Sequence, residues 1–148
     1  MKNQSAFEDV TINVKIKLAT LWTSFMFLYI YVDYFALYMP SKIEDIMKGK
    51  VYVFDITQGF IFTALALASI PMVMIFLSVV LPAKINRLVN LIVATIHIPY
   101  MLFNLVGEAW PHMYFAAVFG GVLFFFIIFF FKKKAKNEQF FKKKIFPS

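Results

Sequence analysis

Four long apolar stretches, separated by short polar segments, make up most of the chain. Their approximate bounds are 18–39, 56–81, 85–107 and 112–131. Each has about the 20 residues that an α-helix needs to cross the hydrocarbon core of a bilayer. The pattern therefore predicts an all-α protein, an integral membrane four-helix bundle. It also divides the chain into an N-terminal segment, 1–17, a single transmembrane domain, 18–131, and a tail, 132–148.

Local signals predict where the first two spans meet their connection, residues 40–55. Pro40 is expected to end the first span, because proline cannot continue a helix through its missing N–H. Ser41 and Glu44 have the spacing of a capping box, which predicts a short interfacial helix directly after Pro40. Asp55 is expected to cap the start of the second span.

The third span carries polar residues that recur at helical spacing. Successive members are four or seven residues apart, which places them along one stripe of a helix. These residues are Asn86, Asn90, His97, Asn104 and Glu108. Hydrocarbon does not solvate such groups, so the stripe is expected to face protein or water.

Aromatic residues near the ends of the first span suit the two bilayer interfaces. Trp22 lies towards one end, and Tyr34 and Tyr38 lie towards the other. Tryptophan and tyrosine are enriched at headgroup depth, because their rings are apolar and carry one polar group. We therefore expect these three side chains in interfacial belts.

Small residues four positions apart occur in the second and fourth spans. Ala64 and Ala68 form one such pair, and Ala116, Ala117, Gly120 and Gly121 form two overlapping pairs. Small-xxx-small pairs allow membrane helices to approach closely. The pattern favours close helix packing and, through these faces, a homo-oligomer.

Composition agrees with a membrane protein and excludes several other classes. Hydrophobic residues make up 61% of the chain, and 20 of the 148 residues are phenylalanine, whereas a typical soluble domain is about half apolar. No folded soluble surface remains to present groups to a nucleic acid, so nucleic acid is not an expected partner. The absence of cysteine excludes disulfides, thiolate metal sites and covalent haem attachment. No cofactor and no metal site is predicted.

The distribution of lysine and arginine predicts the orientation. With four spans both termini lie on the same side, and 12 of the 15 basic residues fall on that side. By the positive-inside rule the termini are cytoplasmic. We expect a multi-pass protein of a bacterial plasma membrane, with the connection 40–55 outside.

Basic residues near the predicted cytoplasmic face are candidates for binding anionic lipid. Clusters of basic residues next to a span attract anionic headgroups, although a charge run that only fixes topology gives the same pattern. The candidates are Arg87, Lys132, Lys133, Lys134, Lys142, Lys143 and Lys144. Besides anionic lipid, the bilayer itself is a predicted partner.

Four segments carry a resemblance to a known family. They are the runs 28–33, 55–59, 81–90 and 104–110, which read LYIYVD, DITQG, LPAKINRLVN and NLVGEAW. The chain resembles a bacterial family of small four-span membrane proteins known only as a domain of unknown function. The resemblance covers nearly all of the chain before the tail. It implies a four-helix membrane fold and no particular activity.

Polar residues from separate spans are predicted to lie at similar depth in the outer leaflet. Asp33 is six residues from the predicted outer end of its span, which places it about 9 Å deep. The candidate ligand-binding residues are Asp33, Tyr29, Gln58, His97, Asn104 and Glu108. An ionised aspartate in hydrocarbon costs roughly 2.5–3.5 kcal/mol, so Asp33 should be paired, neutral or facing a wet cavity. Asp33 as a polar contact that fixes helix register is the competing interpretation.

Three hypotheses for function follow. The first is a non-catalytic membrane protein that binds or passes a small molecule or ion through this outer-leaflet pocket. The second is a structural or accessory membrane subunit without its own activity. The third is a lipid- or quinone-directed membrane enzyme with Asp33 and Glu108 as acid and base. The sequence contains no P-loop, GxGxxG, HExxH or GxSxG pattern, which favours a protein that is not an enzyme.

Overall fold

The computed structural model describes residues 12–106 and 109–145, with side chains as far as Phe129. Within this part the chain forms five helices and one two-stranded hairpin. In chain order they are α1 (Val14–Ala36), α2 (Lys42–Met47), β1 (Lys50–Val51), β2 (Phe54–Asp55), α3 (Gln58–Val80), α4 (Ala83–Phe103) and α5 (Pro111–Ile145). The predicted all-α, four-span fold is confirmed.

Four of these helices are long and apolar enough to cross a membrane. They are α1, α3, α4 and the Pro111–Phe129 part of α5, and each has 19 to 23 residues. The outer surfaces of these helices expose large apolar side chains such as Phe62 and Phe76. Such a surface suits lipid rather than water, and the protein is a multi-pass membrane protein.

Helix α1 is displaced towards the N-terminus relative to its predicted bounds. It begins at Val14, where the side chain of Asn13 accepts a 3.0 Å hydrogen bond from the N–H of Lys15. It ends at Ala36, and residues 37–39 follow as turns. The sequence suggested that Pro40 ends this helix. This prediction is wrong, because the helix has already ended at Ala36. Asp33 consequently lies three residues from the helix end, a rise of about 4.5 Å.

The four long helices form a ring in which chain neighbours run antiparallel. Helix α1 packs against α3 and α5, while α4 packs against α5 and α3. The helices α1 and α4 are therefore diagonal and run in the same direction. We call the end of the bundle that holds Val14, Val80 and Ala83 the N-terminal end, and the end that holds α2 and the hairpin the loop end.

At the loop end, the capping of α2 and α3 differs from the prediction. Ser41 precedes α2 with a positive φ of 66°, and its side chain makes no capping hydrogen bond. The capping-box prediction is wrong, since a left-handed Ser41 does not hold its hydroxyl as an N-cap. Thr57, and not Asp55, caps α3, because the Thr57 hydroxyl accepts a 3.1 Å hydrogen bond from the N–H of Phe60.

The core is formed by large side chains from α1 and α5, packed against smaller ones from α4. Trp22, Phe124 and Ile127 are fully buried, and so is Ala94. A methyl group added at Gly120 would lie 2.6 Å from the Sδ of Met101, and 3.7–3.8 Å from Leu28 and Phe25. Gly120 thus lets α5 approach Met101 of α4 closely, as the small-residue pattern predicted, whereas the distances to Leu28 and Phe25 of α1 are those of ordinary van der Waals contacts. Nothing lies within 4 Å of a methyl group added at Gly121.

Candidate functional site

The best-connected polar groups lie in the half of the bundle nearest the N-terminal end. We call Trp22, Ser78, Asn86 and Asn90 the polar cluster. The Trp22 indole N–H donates to Asn90 Oδ1 at 2.6 Å, and the Ser78 hydroxyl donates to the same oxygen at 3.2 Å. Asn86 Nδ2 donates to the Ser78 carbonyl at 2.7 Å. The cluster therefore joins α1, α3 and α4.

Helical spacing and a short turn place these groups together. Asn86 and Asn90 are one turn apart on α4, and Ser78 lies two residues before the end of α3. Only Leu81 and Pro82 separate α3 from α4, so these two helix ends stay close. Trp22 is eight residues into α1, a rise of about 12 Å, and Asn90 is seven residues into α4, a rise of about 10 Å. Because α1 and α4 are parallel, the two side chains meet at nearly the same depth.

Asn90 uses its full hydrogen-bonding capacity inside the cluster. Its oxygen accepts from Trp22 and Ser78, and its Nδ2 donates to the backbone carbonyl of Asn86 at 2.9 Å and to Asn86 Oδ1 at 2.6 Å. An amide side chain offers two donors and an acceptor with two lone pairs, so nothing is left for a ligand. The exposed fractions of Asn86 and Asn90 are 2% and 0%. The arrangement suits fixing helix register better than binding a small molecule.

His97 continues the buried stripe towards the loop end and is surrounded by aromatic rings. Its ring centroid lies 6.0 Å from those of Trp22 and Phe25, 6.1 Å from that of Tyr100 and 6.2 Å from that of Phe124. Its Nδ1 is 2.9 Å from the carbonyl oxygen of Val93. A carbonyl only accepts, so this nitrogen carries the hydrogen. His97 therefore fills the middle of the bundle together with the rings around it.

Closer to the loop end, a tyrosine pair joins α1 to α4 beside Asp33. The hydroxyl groups of Tyr29 and Tyr100 are 2.9 Å apart. The Asp33 carboxylate interacts electrostatically with the Tyr29 hydroxyl, and its side chain is exposed. Among the described residues, none donates a hydrogen bond to the carboxylate of Asp33. Asp33 is thus an acidic group on the bundle surface, close to a satisfied tyrosine pair.

The other predicted ligand-binding residues are not joined to this group by any described hydrogen bond. Gln58 is exposed and lines a shallow depression of about 520 Å³ together with Thr57 and apolar residues of α3. Asn104 is exposed at the end of α4. Glu108 lies outside the described residues. Ligand binding by Asp33, Tyr29, Gln58, His97, Asn104 and Glu108 stays a prediction.

His112, at the start of α5, has an unusual environment. Its Nε2 is buried and has no hydrogen-bond partner among the described residues, and its ring lies 6.1 Å from that of Trp110. Within the same part of the chain, no three His, Asp or Glu side chains come close enough together to hold a metal ion.

Basic side chains are present at the N-terminal end of the bundle. The ammonium group of Lys15 donates a 3.0 Å hydrogen bond to the carbonyl of Val79, near the end of α3. Arg87 is exposed on α4, as is Lys84 one turn before it. The tail lysines lie outside the residues whose side chains the structure describes. Lipid binding by Arg87, Lys132, Lys133, Lys134, Lys142, Lys143 and Lys144 stays a prediction.

Comparison with protein families gives a match over most of the chain. The model of a family of unknown function, DUF6326, matches residues 6–139. The chain belongs to this family. It matches no curated protein and no solved structure. Family membership therefore assigns no activity to the chain.

The sequence of this family member did not indicate that Trp22 and Ser78 belong to the polar cluster. Trp22 was expected in an interfacial belt, yet its exposed fraction is 0%; α1 begins earlier than predicted, and Trp22 therefore lies well inside the helix. Ser78 is a lone hydroxyl within an apolar span. The signal that pointed to the cluster was the helical spacing of Asn86 and Asn90, which predicted that both face protein or water.

Proposed function

We propose that the protein is a non-catalytic membrane protein that binds a small cationic group at the loop end of α1, with Asp33 as its counter-charge. The supporting observation is the exposed Asp33 carboxylate, to which no described residue donates a hydrogen bond. An acidic side chain within a membrane helix is a candidate functional group. A carboxylate beside aromatic rings suits an ammonium group, through charge and through cation–π attraction.

Two tyrosines that follow Asp33 in the sequence support this choice of ligand. Tyr34 and Tyr38 are exposed, and their hydroxyl groups are 2.7 Å apart. This hydrogen bond raises the pKa of the Tyr38 hydroxyl, so this phenol stays neutral at physiological pH. The two rings offer apolar faces without adding a second negative charge. A carboxylate with neutral aromatic neighbours favours a cation over an anion.

The proposal is for binding at the surface rather than passage through one chain. Trp22 and Phe124 are 0% exposed, Phe25 is 4% exposed, and His97 is 7% exposed. The rings of Phe25 and Phe124 are 4.8 Å apart and tilted against each other. These side chains fill the middle of the bundle, and interiors packed in this way leave little room for a solute.

Ligand-dependent thermal stabilisation tests the proposal. The purified protein is heated in nanodiscs with tetramethylammonium or spermidine chloride, with sodium chloride at matched ionic strength as the reference. A ligand at 100 times its Kd stabilises the folded state by about 2.7 kcal/mol. We expect a rise in Tm for the wild type and none for Asp33→Asn.

Asp45→Asn serves as the matched control, because Asp45 lies on α2 and not on a span. Its response to the cations should equal that of the wild type. An equal response of the wild type and Asp33→Asn to both cations would contradict the proposal.

A structural or accessory subunit is the second candidate. It is favoured by the polar cluster, in which Asn90 is fully satisfied by neighbours in its own chain. Such a protein would co-purify with a partner, and Asp33→Asn would leave that assembly unchanged. Pull-down of tagged wild type and Asp33→Asn, compared by mass spectrometry, separates the two candidates. A lipid- or quinone-directed enzyme, which needs Glu108, stays a prediction.

We also propose a bacterial plasma membrane location, with both termini in the cytoplasm and the loop end outside. The proposal is supported by the excess of lysine and arginine at the N-terminal end. The chain lacks cysteine, so single cysteines introduced at Lys48 and Lys84 report sidedness directly. A membrane-impermeant maleimide added to intact cells should label the first and not the second.

Assembly of several copies is a further proposal, with a constraint from the packing. Gly120 already brings α5 against α1 and α4 within one chain. A second copy would therefore use another face, such as the one around Ala64 on α3, where the side chains are exposed. Cross-linking through a cysteine at Ala64 tests this face.

A further inference from the structure

The connection between α1 and α3 exposes a group of large apolar side chains. We call this group the loop platform. Its members are exposed by 40–84% of their surface: Ile43, Ile46, Met47, Val53 and Phe54. Met47, at 84%, and Val53, at 72%, are the most exposed. Isolated exposed apolar residues are normal, but several on one short connection mark an interaction surface.

The loop platform is held against the bundle by specific contacts. The Tyr52 hydroxyl donates a 3.2 Å hydrogen bond to the carbonyl of Val106, just after α4. The ring of Phe54 stacks on that of Phe60 in the first turn of α3, with centroids 6.0 Å apart. The N–H of Ile56 donates to the carbonyl of Gly49 at 2.7 Å. These contacts fix the platform beside the ends of α3 and α4.

The two sides of α2 differ in chemistry. At 100° per residue, Ile43, Ile46 and Met47 lie on one side, and Lys48 lies on the opposite side. Asp45 is half-buried, while Met47 is almost fully exposed. The apolar side of α2 therefore faces away from the protein. It needs a partner that the described chain does not provide.

The membrane surface is the partner within reach. Five residues lie between Ala36 and Lys42, so α2 begins six residue steps, or no more than about 20 Å, from the end of the α1 span. The exposed rings of Tyr34 and Tyr38 continue the lipid-facing surface of α1 towards the platform. Lys50 is exposed on the same connection, and its charge complements lipid phosphates.

We propose that the loop platform docks on the bilayer leaflet at the loop end, with Met47 and Val53 entering the boundary between headgroups and acyl chains. Amphipathic helices bind membranes in this way, through an apolar face and basic residues beside it. The platform would then fix the depth at which α1 and α3 leave the bilayer. It does not depend on Asp33 or on any cationic ligand.

Site-specific fluorescence tests the docking, using the absence of native cysteine. Met47→Cys and Val53→Cys are each labelled with the environment-sensitive dye NBD. Lys48→Cys is the matched control, because it is next to Met47 but on the opposite side of α2. Each variant is reconstituted in vesicles of phosphatidylethanolamine and phosphatidylglycerol, with and without phospholipid that carries a nitroxide at carbon 5 of the acyl chain.

We expect blue-shifted emission and several-fold stronger nitroxide quenching at positions 47 and 53 than at position 48. Equal quenching at the three positions would overturn the proposal. Blue-shifted emission at 47 without nitroxide quenching would also overturn it, since protein and not lipid would then cover the platform. All three side chains are exposed and outside the bundle, so labelling should leave the fold intact, as a cooperative thermal transition would verify.

Discussion

The indole N–H of Trp22 and the side-chain oxygen of Asn90 are 2.6 Å apart, in a hydrogen bond that crosses the bundle between its two parallel diagonal helices. Both residues are 0% exposed. The bond connects elements that are 68 residues apart in sequence. It specifies which faces of α1 and α4 meet, and the mutual rotation and height of the two helices depend on it.

Trp22→Phe should lower the free energy of unfolding by about 2 kcal/mol, because it removes this donor and leaves unfilled volume. Unfolding by SDS in mixed micelles, followed by circular dichroism, measures the change. Trp110→Phe is the matched control, since Trp110 is 43% exposed, and it should change stability by less than about 0.5 kcal/mol. Equal effects of the two substitutions would show that the buried bond contributes nothing.

Asn90→Leu should destabilise more than Asn104→Leu, although both remove an amide from the same helix. At position 90 the change leaves the Trp22 N–H and the Ser78 hydroxyl buried without their partner, at a cost of about 2–3 kcal/mol. Asn104 is exposed, and its replacement should cost less than about 0.5 kcal/mol. The same SDS titration applies. A larger loss for Asn104→Leu would indicate that the important polar contacts lie at the loop end instead.

Gly120→Val should destabilise the bundle by about 1–3 kcal/mol through overpacking, because its side chain would meet Met101, Leu28 and Phe25. Gly121→Val adds the same side chain where nothing lies within 4 Å. That variant should therefore fold with nearly wild-type stability. Thermal unfolding in detergent compares the two, and a shared loss of Tm would mean that valine disfavours α5 itself and not its packing.

Thr57→Ala should lower stability by about 1 kcal/mol, the usual cost of losing an N-cap. Asp55→Ala should have little effect, although the sequence first suggested Asp55 as the cap of α3. Hydrogen exchange of the amides in the first turn of α3 gives a local measurement of the same difference. Faster exchange in Asp55→Ala than in Thr57→Ala would reverse the assignment.

The sequence predicted the number of spans, because a stretch of about 20 apolar residues has the length and composition of a transmembrane helix. It also predicted that Asn86, Asn90 and His97 lie on one stripe that faces protein or water, and in the structure all three are buried. Helix ends were less predictable: Asn13 starts α1 and turns end it at Ala36, and both depend on local backbone geometry rather than on hydropathy. Because α1 ends at Ala36 and not at residue 39, Asp33 lies about 4.5 Å from the helix end, and not about 9 Å as predicted.

The partners of the stripe could not be predicted, since they depend on which helices become neighbours. Hydrophobic patterning is nearly uniform around α3, so nothing marked Ser78 as facing the bundle interior. Trp22 has the composition of an interfacial anchor, and only the ring order of the helices shows that it meets Asn90. The sequence grouped the polar residues by their predicted depth near the loop end. The hydrogen bonds instead concentrate in the other half of the bundle.

The hydrogen bonds that Trp22 and Ser78 donate to Asn90 have a consequence for biosynthesis. Because a chain is made from its N-terminus, α1 and α3 are synthesised before α4. When α4 enters the membrane, the indole and hydroxyl groups that donate to Asn90 and the Ser78 carbonyl that accepts from Asn86 are already there. Insertion of α4 should therefore depend on the spans before it, so that a fragment beginning at Ala83 would integrate poorly where the full chain integrates well.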